Sequence, residues 1–207
     1  MKISIDRSSI DSISFRLLPD EQDAIPPIDH VFIKHPGVSK IDDARVAFIA
    51  LLLASRFTCN VIELDGASWP AHLAASIVDL VGREMFPTPV SNTPKRILPD
   101  FLHKSLNAGE SGGLGLPWMK RNELGRAVHG FSEKPDSGLL QVSTNVDLMA
   151  CFLPGSELVS DLIVFASLFD AYGVESLKIP YQVGPEAEGL SYIAAQVGCS
   201  LEVVRSA

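Results

Sequence analysis

The chain lacks a long hydrophobic run, is poor in cysteine and is short of positive charge. Its longest unbroken apolar stretch, Val46 to Ala54, has nine residues, where a membrane-spanning helix needs about 20. That stretch reads as a buried helix. The N-terminal segment MKISIDRSSIDSISF alternates apolar and polar residues and has no continuous apolar segment of the signal-peptide kind. A cytoplasmic location follows as the expectation, with no membrane partner. Cysteine is confined to Cys59, Cys151 and Cys199. An odd number, widely spaced among apolar residues, favours buried reduced thiols over a disulfide framework. Basic residues number 17 against 25 acidic ones, a formal net charge of -8. A surface of that balance repels polyanions, so nucleic acid is not an expected partner.

Metal-ligand and nucleotide signatures are also missing. His30, His35, His72, His103 and His129 have no ligand spacing, and no cysteine completes a set around them. His103 and His129 fall in stretches that read as irregular. No Gly-Lys-Ser/Thr ending follows any glycine-rich loop, which excludes the common phosphate-binding loop, and the dinucleotide spacing fails as well. Neither a metal nor another cofactor is called for.

What is present is ordinary globular material: 207 residues, 46% hydrophobic and 20% charged. That length suits a single domain with its own core. Ile3 with Ile5, and Ile13 with Phe15 and Leu17, have the period of two of half-buried strands. His30 to Lys34 reads as a third strand, and Pro36-Gly37 breaks the chain. Asp42 and Asp43 suit a helix start, where carboxylates satisfy free amides and the positive end of the dipole. The helix they open extends to about Phe57 and is apolar on nearly every side, which requires cover from more than one direction. Asn60 to Leu64 is then a strand and Gly66 a turn. Trp69-Pro70 reads as the first turn of a second helix, which ends at Val81 before Gly82.

The later half repeats this order. Pro154-Gly155 breaks the chain, Leu158 to Tyr172 is a largely apolar helix ended by Gly173, and Ser176 to Tyr181 is a strand. A helix from Glu186 to Val197 is closed by Gly198, and Leu201 to Val204 is the last strand. Aligning Phe48 to Leu51 with Ile163 to Ala166 brings Val61 to Leu64 over Ser176 to Ile179 at the same offset of 115 residues. The fold expected is therefore α/β (α+β), with repeated βαβα units whose helices pack beneath mixed sheets. It is one domain over residues 1–207, with a pseudo-repeat over 30–82 and 148–204 joined by the Pro/Gly-rich segment 83–138.

That middle segment differs in charge as well as in backbone. Between Arg83 and Arg126 there are seven basic and four acidic residues, a net of +3 that leaves -11 for the rest of a -8 chain. Positive charge on irregular backbone can hold a small anion, although solvated surface charge is the commoner outcome. Asn107-Ala108-Gly109-Glu110-Ser111-Gly112-Gly113-Leu114-Gly115 lies within it. Closely spaced glycines let amides converge on an anion, and Glu110 is placed to face a bound ligand. Lys40 and Arg45 form the other candidate, five apart at the opening of the first buried helix, where cations and backbone amides would act together on a phosphate or carboxylate. Asp42 and Asp43 put negative charge at the same spot, and simple neutralisation of these aspartates competes with ligand binding.

Two resemblances bear on these residues. Pro36-Gly37-Val38-Ser39-Lys40-Ile41-Asp42-Asp43-Ala44-Arg45, the alanine- and leucine-rich helix after it and Asn107-Ala108-Gly109 resemble the first part of the enolpyruvyl transferases, proteins built from repeated βαβα units. Pro154-Gly155, the strand bearing Lys178 and Gly198 to Val203 resemble a further unit. The resemblance covers about half of the chain. It implies that Lys40 and Arg45 meet phosphate and carboxylate groups of substrate and that Asn107, Ala108 and Gly109 border the enolpyruvyl donor. Ile41 stands where a serine is usual, Asp43 or Ala44 where an asparagine is usual, and no arginine closely follows Asn107-Ala108-Gly109. The full enzymes have two lobes and about twice this length. Ser111-Gly112-Gly113-Leu114 and Phe152-Leu153-Pro154-Gly155 are similar to segments of the PP-loop pyrophosphatases, with Gly115 and Leu116 where aspartate and serine would stand. The function expected is binding of a small anion or phosphorylated metabolite by a chain resembling one transferase lobe. The alternatives are a degenerate PP-loop relative and a non-catalytic subunit that pairs with a second copy or another protein. No catalytic residue is assigned.

Overall fold

A computed structural model describes residues 1–81, 85–92, 104–107, 120–121, 127–131, 140–150, 156–172, 174–179 and 185–203. Its strands are β1 (Lys2–Asp6), β2 (Ser12–Leu18), β3 (His30–Lys34), β4 (Val61–Asp65), β5 (Trp69–Pro70), β6 (Phe86–Thr88), β7 (Val90–Ser91), β8 (Lys104–Asn107), β9 (Lys120–Arg121), β10 (Ala127–Phe131), β11 (Leu140–Thr144), β12 (Val174–Ile179) and β13 (Ser200–Val203). Its helices are α1 (Asp43–Ala54), α2 (Ala71–Val81), α3 (Asp147–Ala150), α4 (Ser156–Tyr172) and α5 (Pro185–Gln196), with a 3-10 turn over Val38–Lys40. The architecture is mixed α/β of the α+β kind, as the alternation of periods predicts.

An eight-stranded sheet has the order β6-β4-β1-β2-β3-β11-β10-β9, and a three-stranded sheet the order β13-β12-β8. In the large sheet β1, β4 and β6 are parallel, while β1, β2, β3, β11, β10 and β9 are antiparallel in sequence across the sheet. The small sheet is parallel throughout. Alternation decides which face of the large sheet is covered. Ile3, Ile5, Ile13, Phe15, Leu17, Val31, Ile33, Ile62 and Leu64 are buried, and each stabilises the fold by roughly 1.5–3 kcal/mol through lost contact with water. Asn145, just beyond β11, braces β3 by donating its side-chain amide to His30 O and accepting Phe32 N–H at 2.8 and 2.9 Å.

Helices α1 and α4 form the centre. Every residue of α1 from Arg45 to Ala54 is buried, as is every residue of α4 from Ser160 to Phe169. The two helices pack on each other, α1 also on β4 and β5 and α4 also on β12, so the pair connects the two sheets. That accounts for an apolar stretch with no polar face. Helix α2, with Leu73 and Ile77 inward and Ala71 and Ala75 outward, packs on α5. Apart from the two-residue β5 inserted before α2, the segments α1-β4-α2-β6 and α4-β12-α5-β13 share one order of elements, and in each the two strands are parallel neighbours.

Several expectations need correction. Trp69 and Pro70 do not open α2: they form β5, which pairs with β7, and Trp69 N–H donates to Pro89 O at 2.8 Å. The extended backbone drives the Trp69 ring into the core, where its Nε1 donates to Ile62 O. His129 lies in β10, and the described parts of 83–138 lie in strands apart from Met85, Pro89 and Asn92, because prolines that prevent helices are tolerated in short or edge strands. In β6 the Phe86 N–H is used by Asn60 O, just before the neighbouring β4, so Pro87 is the residue facing the open edge. Helix α1 ends at Ala54 rather than Phe57, since the amides of Phe57 and Thr58 both turn back to Ala54 O. Cys59 is exposed, Cys199 is buried, and Cys151 lies outside the described residues, as do Gly82, Pro154, Gly155, Gly173 and the run from 108 to 119.

Two glycines hold turns that other residues resist. Gly198 ends α5 at a φ of 79°, with Gly198 N–H on Ala195 O and Cys199 N–H on Ala194 O, the paired bonds of a Schellman cap. Gly66, at a φ of 97°, would place a Cβ 2.7 Å from the Ile5 carbonyl oxygen. Gly198→Ala should cost about 1–2 kcal/mol for the left-handed backbone alone. Gly66→Ala should cost more, roughly 2–4 kcal/mol, because a fixed backbone oxygen must also give way. Urea unfolding of the two variants checks both the size and the order.

Candidate functional site

The residues expected to act together at the start of α1 separate in the fold. Lys40 closes the 3-10 turn and is exposed. Arg45 turns inward and is 1% exposed. Asp42 caps α1, its Oδ1 accepting Arg45 N–H at 3.0 Å, which satisfies an amide that the helix leaves free. The other oxygen, Oδ2, takes Arg45 Nη1 at 2.6 Å. The same Nη1 donates to Asp170 Oδ1 at 2.7 Å, and Asp170 Oδ2 accepts Asp42 N–H at 2.9 Å. The guanidinium carbon lies 5.0 Å from the centre of the Phe169 ring, a cation–π contact.

Cys199 completes this cluster. Burial pushes its thiol well above the usual range, Arg45 beside it works in the opposite direction, and Asp170 and Asp42 add to the upward shift. The thiol is therefore a neutral packing group rather than a nucleophile. Among the described residues the cluster holds two carboxylates against one guanidinium, with no surplus positive charge for a ligand. On the outer side of α1, Arg7 donates Nη2 to Asp43 Oδ1 at 2.9 Å and Nη1 to Ile41 O at 3.4 Å. The aspartates at this helix start thus have cations of their own, the neutralising arrangement for Arg45 set against ligand binding from the sequence.

Asp170, Phe169 and Cys199 escaped the sequence reading as site residues. A signal existed for Asp170: it is an acid that directly follows the unbroken buried run of α4. For Cys199 the signal was its position after the glycine that closes α5. Their convergence on Arg45 is tertiary and has no sequence spacing of its own.

The second candidate segment begins at Asn107, the last residue of β8. Ala108, Gly109 and Glu110 lie outside the described residues. Asn107 stands in register with Lys178 of β12. From β12 the chain passes through α5 to β13 on one side, whereas the next strand after β8, β9, belongs to the large sheet. The carboxyl ends of parallel strands are the usual ligand position in open α/β sheets.

His35 is the buried titratable group nearest the Pro36-Gly37 break. Its Nδ1 lies 3.0 Å from Pro36 O and its Nε2 3.2 Å from Ser167 Oγ on α4, while Ser167 Oγ lies 2.6 Å from Val164 O, to which it donates. Burial lowers its pKa below 6.5, while its bonds to Pro36 and Ser167 and the charge of Asp11 oppose that shift. Among the described residues no group of three His, Cys, Asp or Glu side chains is arranged to hold a metal ion, and no helix is long and apolar enough to cross a membrane.

Two predictions follow from these environments. Arg45→Ala removes the guanidinium that Asp42 and the buried Asp170 share and should destabilise the fold by about 3–5 kcal/mol, whereas Lys40→Ala should change it by less than about 0.5 kcal/mol. Denaturant titration of both variants checks the contrast. For His35 the unfolded chain binds the proton more readily than the folded one. This part of the stability is therefore present above pH 6.5 and falls as the pH drops below it. In His35→Gln that part of the slope should flatten, as read from unfolding midpoints between pH 7 and pH 5.

Comparison of the chain with models of protein families, with curated proteins and with solved structures finds no match in any of the three.

Proposed function

We propose that the chain is a binding lobe, resembling one lobe of an enolpyruvyl transferase, that takes a small phosphorylated or carboxylated anion at the carboxyl ends of β8 and β12. The observation that carries this reading is the register of Asn107 with Lys178 toward the carboxyl ends of two parallel strands, of which β12 is followed in the chain by a strand of its own sheet and β8 by a strand of the large sheet. The surplus of positive charge between Arg83 and Arg126 supports it, since an anion is drawn to the one basic stretch of an acidic chain. Arg45 has a structural role in this reading, and Lys40, exposed at the end of its turn, is a cation open to a ligand at that end of α1.

A second reading, a non-catalytic subunit of a larger assembly, is favoured by the internal neutralisation of Arg45, because a transferase-like site without that cation has lost a substrate contact. Titration calorimetry with phosphoenolpyruvate, shikimate 3-phosphate and ATP separates the two. Saturable binding of either of the first two, weakened at least about tenfold in Asn107→Ala at unchanged thermal stability, is the expected result; tenfold corresponds to about 1.4 kcal/mol. Heat of dilution alone with all three ligands would leave only the subunit reading, and binding confined to ATP would point to the PP-loop relation instead.

A further inference from the structure

The carboxylate of Asp170 is held as a bound anion would be. One oxygen takes the backbone N–H of Asp42 at 2.9 Å, immediately before the first turn of the twelve-residue α1, and the other takes Arg45 Nη1 at 2.7 Å. A helix start and a guanidinium converging on two oxygens of one planar group are the donor set that proteins use for carboxylates and phosphates. Two further observations separate this from an ordinary ion pair. Arg45 is almost wholly buried, and its Nε, itself without contact with water, has no hydrogen-bond partner, so the cation has donor capacity that the protein leaves unused. The helix cap itself is already supplied by Asp42, whose oxygens take Arg45 N–H and Nη1. Asp170, arriving from the far end of α4 with a side chain 2% exposed, is therefore an addition to a helix start already capped.

We propose that the α1 start and Arg45 form an anion cradle that the chain fills with its own carboxylate, Asp170, and that removing this internal ligand opens a site for a small planar carboxylate such as formate. With Asp170 in place two carboxylates already occupy Arg45 Nη1, and the carboxyl group fills the space that an external anion would take. Without it Asp42 and Arg45 balance, while the Asp42 amide and part of the guanidinium are left facing a space the size of the lost carboxyl group. The contact is thus self-occupying: an external carboxylate reaches Arg45 only where the end of α4 no longer supplies one. The inference is independent of the Asn107 face, because calorimetry on the unaltered chain tests that face and the present proposal is read only on variants of Asp170.

The test is anion rescue of Asp170→Ala, measured by thermal unfolding in sodium formate and in sodium chloride at equal ionic strength. Formate in about tenfold excess over its dissociation constant should raise the midpoint of this variant by roughly 3 to 6 °C relative to chloride. The unaltered protein and Asp43→Ala, which loses only the outer pair with Arg7, should show no such difference. Equal midpoints in the two salts, or an equal gain in the controls, would overturn the proposal. Should Asp170→Ala fail to fold in chloride, recovery of a cooperative transition in formate supports the cradle, and an unfolded chain in both salts refutes it.

Discussion

Arg45, buried between Asp42 and Asp170, is the interaction on which the arrangement of the helices depends. Taking a guanidinium out of water costs several kcal/mol, which only close, hydrogen-bonded counter-charges offset. The two aspartates come from the start of α1 and the end of α4, and the Cys199 thiol arrives from the turn after α5. Each of three elements therefore contributes one polar group to a point otherwise enclosed by apolar side chains. Apolar contact alone is not directional. Two helices as uniformly buried as α1 and α4 have no polar stripe to set their rotation or their offset along the axis. Bonds of 2.6 and 2.7 Å to one guanidinium nitrogen define both.

With that pair set, the sheets take their places by simple cover. The large sheet turns its alternating Ile, Phe, Leu and Val residues toward the helices, and β12 of the small sheet lies on α4. The order of elements recurs in the two halves, and the helices pair in matching fashion, α1 with α4 and α2 with α5. On the helix side Arg45, Asp42 and Asp170 are engaged with one another in holding this core.

The sequence made the elements legible wherever local chemistry was strong. Strands β1 to β3 follow from strict alternation, and the start of α1 from an aspartate cap that the structure bears out in Asp42. The end of α5 follows from Gly198, whose backbone few other residues adopt. Trp69-Pro70 misled because proline suits both a first helical turn and a short strand; the choice fell to the pairing with Val90 and Ser91, twenty-one residues further on. Strands β8 to β11 were missed for the same kind of reason, since their alternation is short and their partners are distant. Of the candidate site, the burial of Cys199 was legible, but the convergence of Asp170 on Arg45 was not. Residues 125 apart in the chain carry no mark of one another until the helices pack.

Pro87 has a consequence for how copies of this protein meet. A sheet edge normally exposes a row of amide donors that another strand can join, and a mixed sheet of eight strands has two such edges. On the β6 side the outward-facing residue is a proline, flanked by amides of which the first is already engaged with Asn60. An approaching strand finds a carbonyl there but no hydrogen to receive, and the ladder stops after one position. Edge-to-edge pairing thus lacks a donor at this position, on a margin where Phe86 and Val90 are exposed.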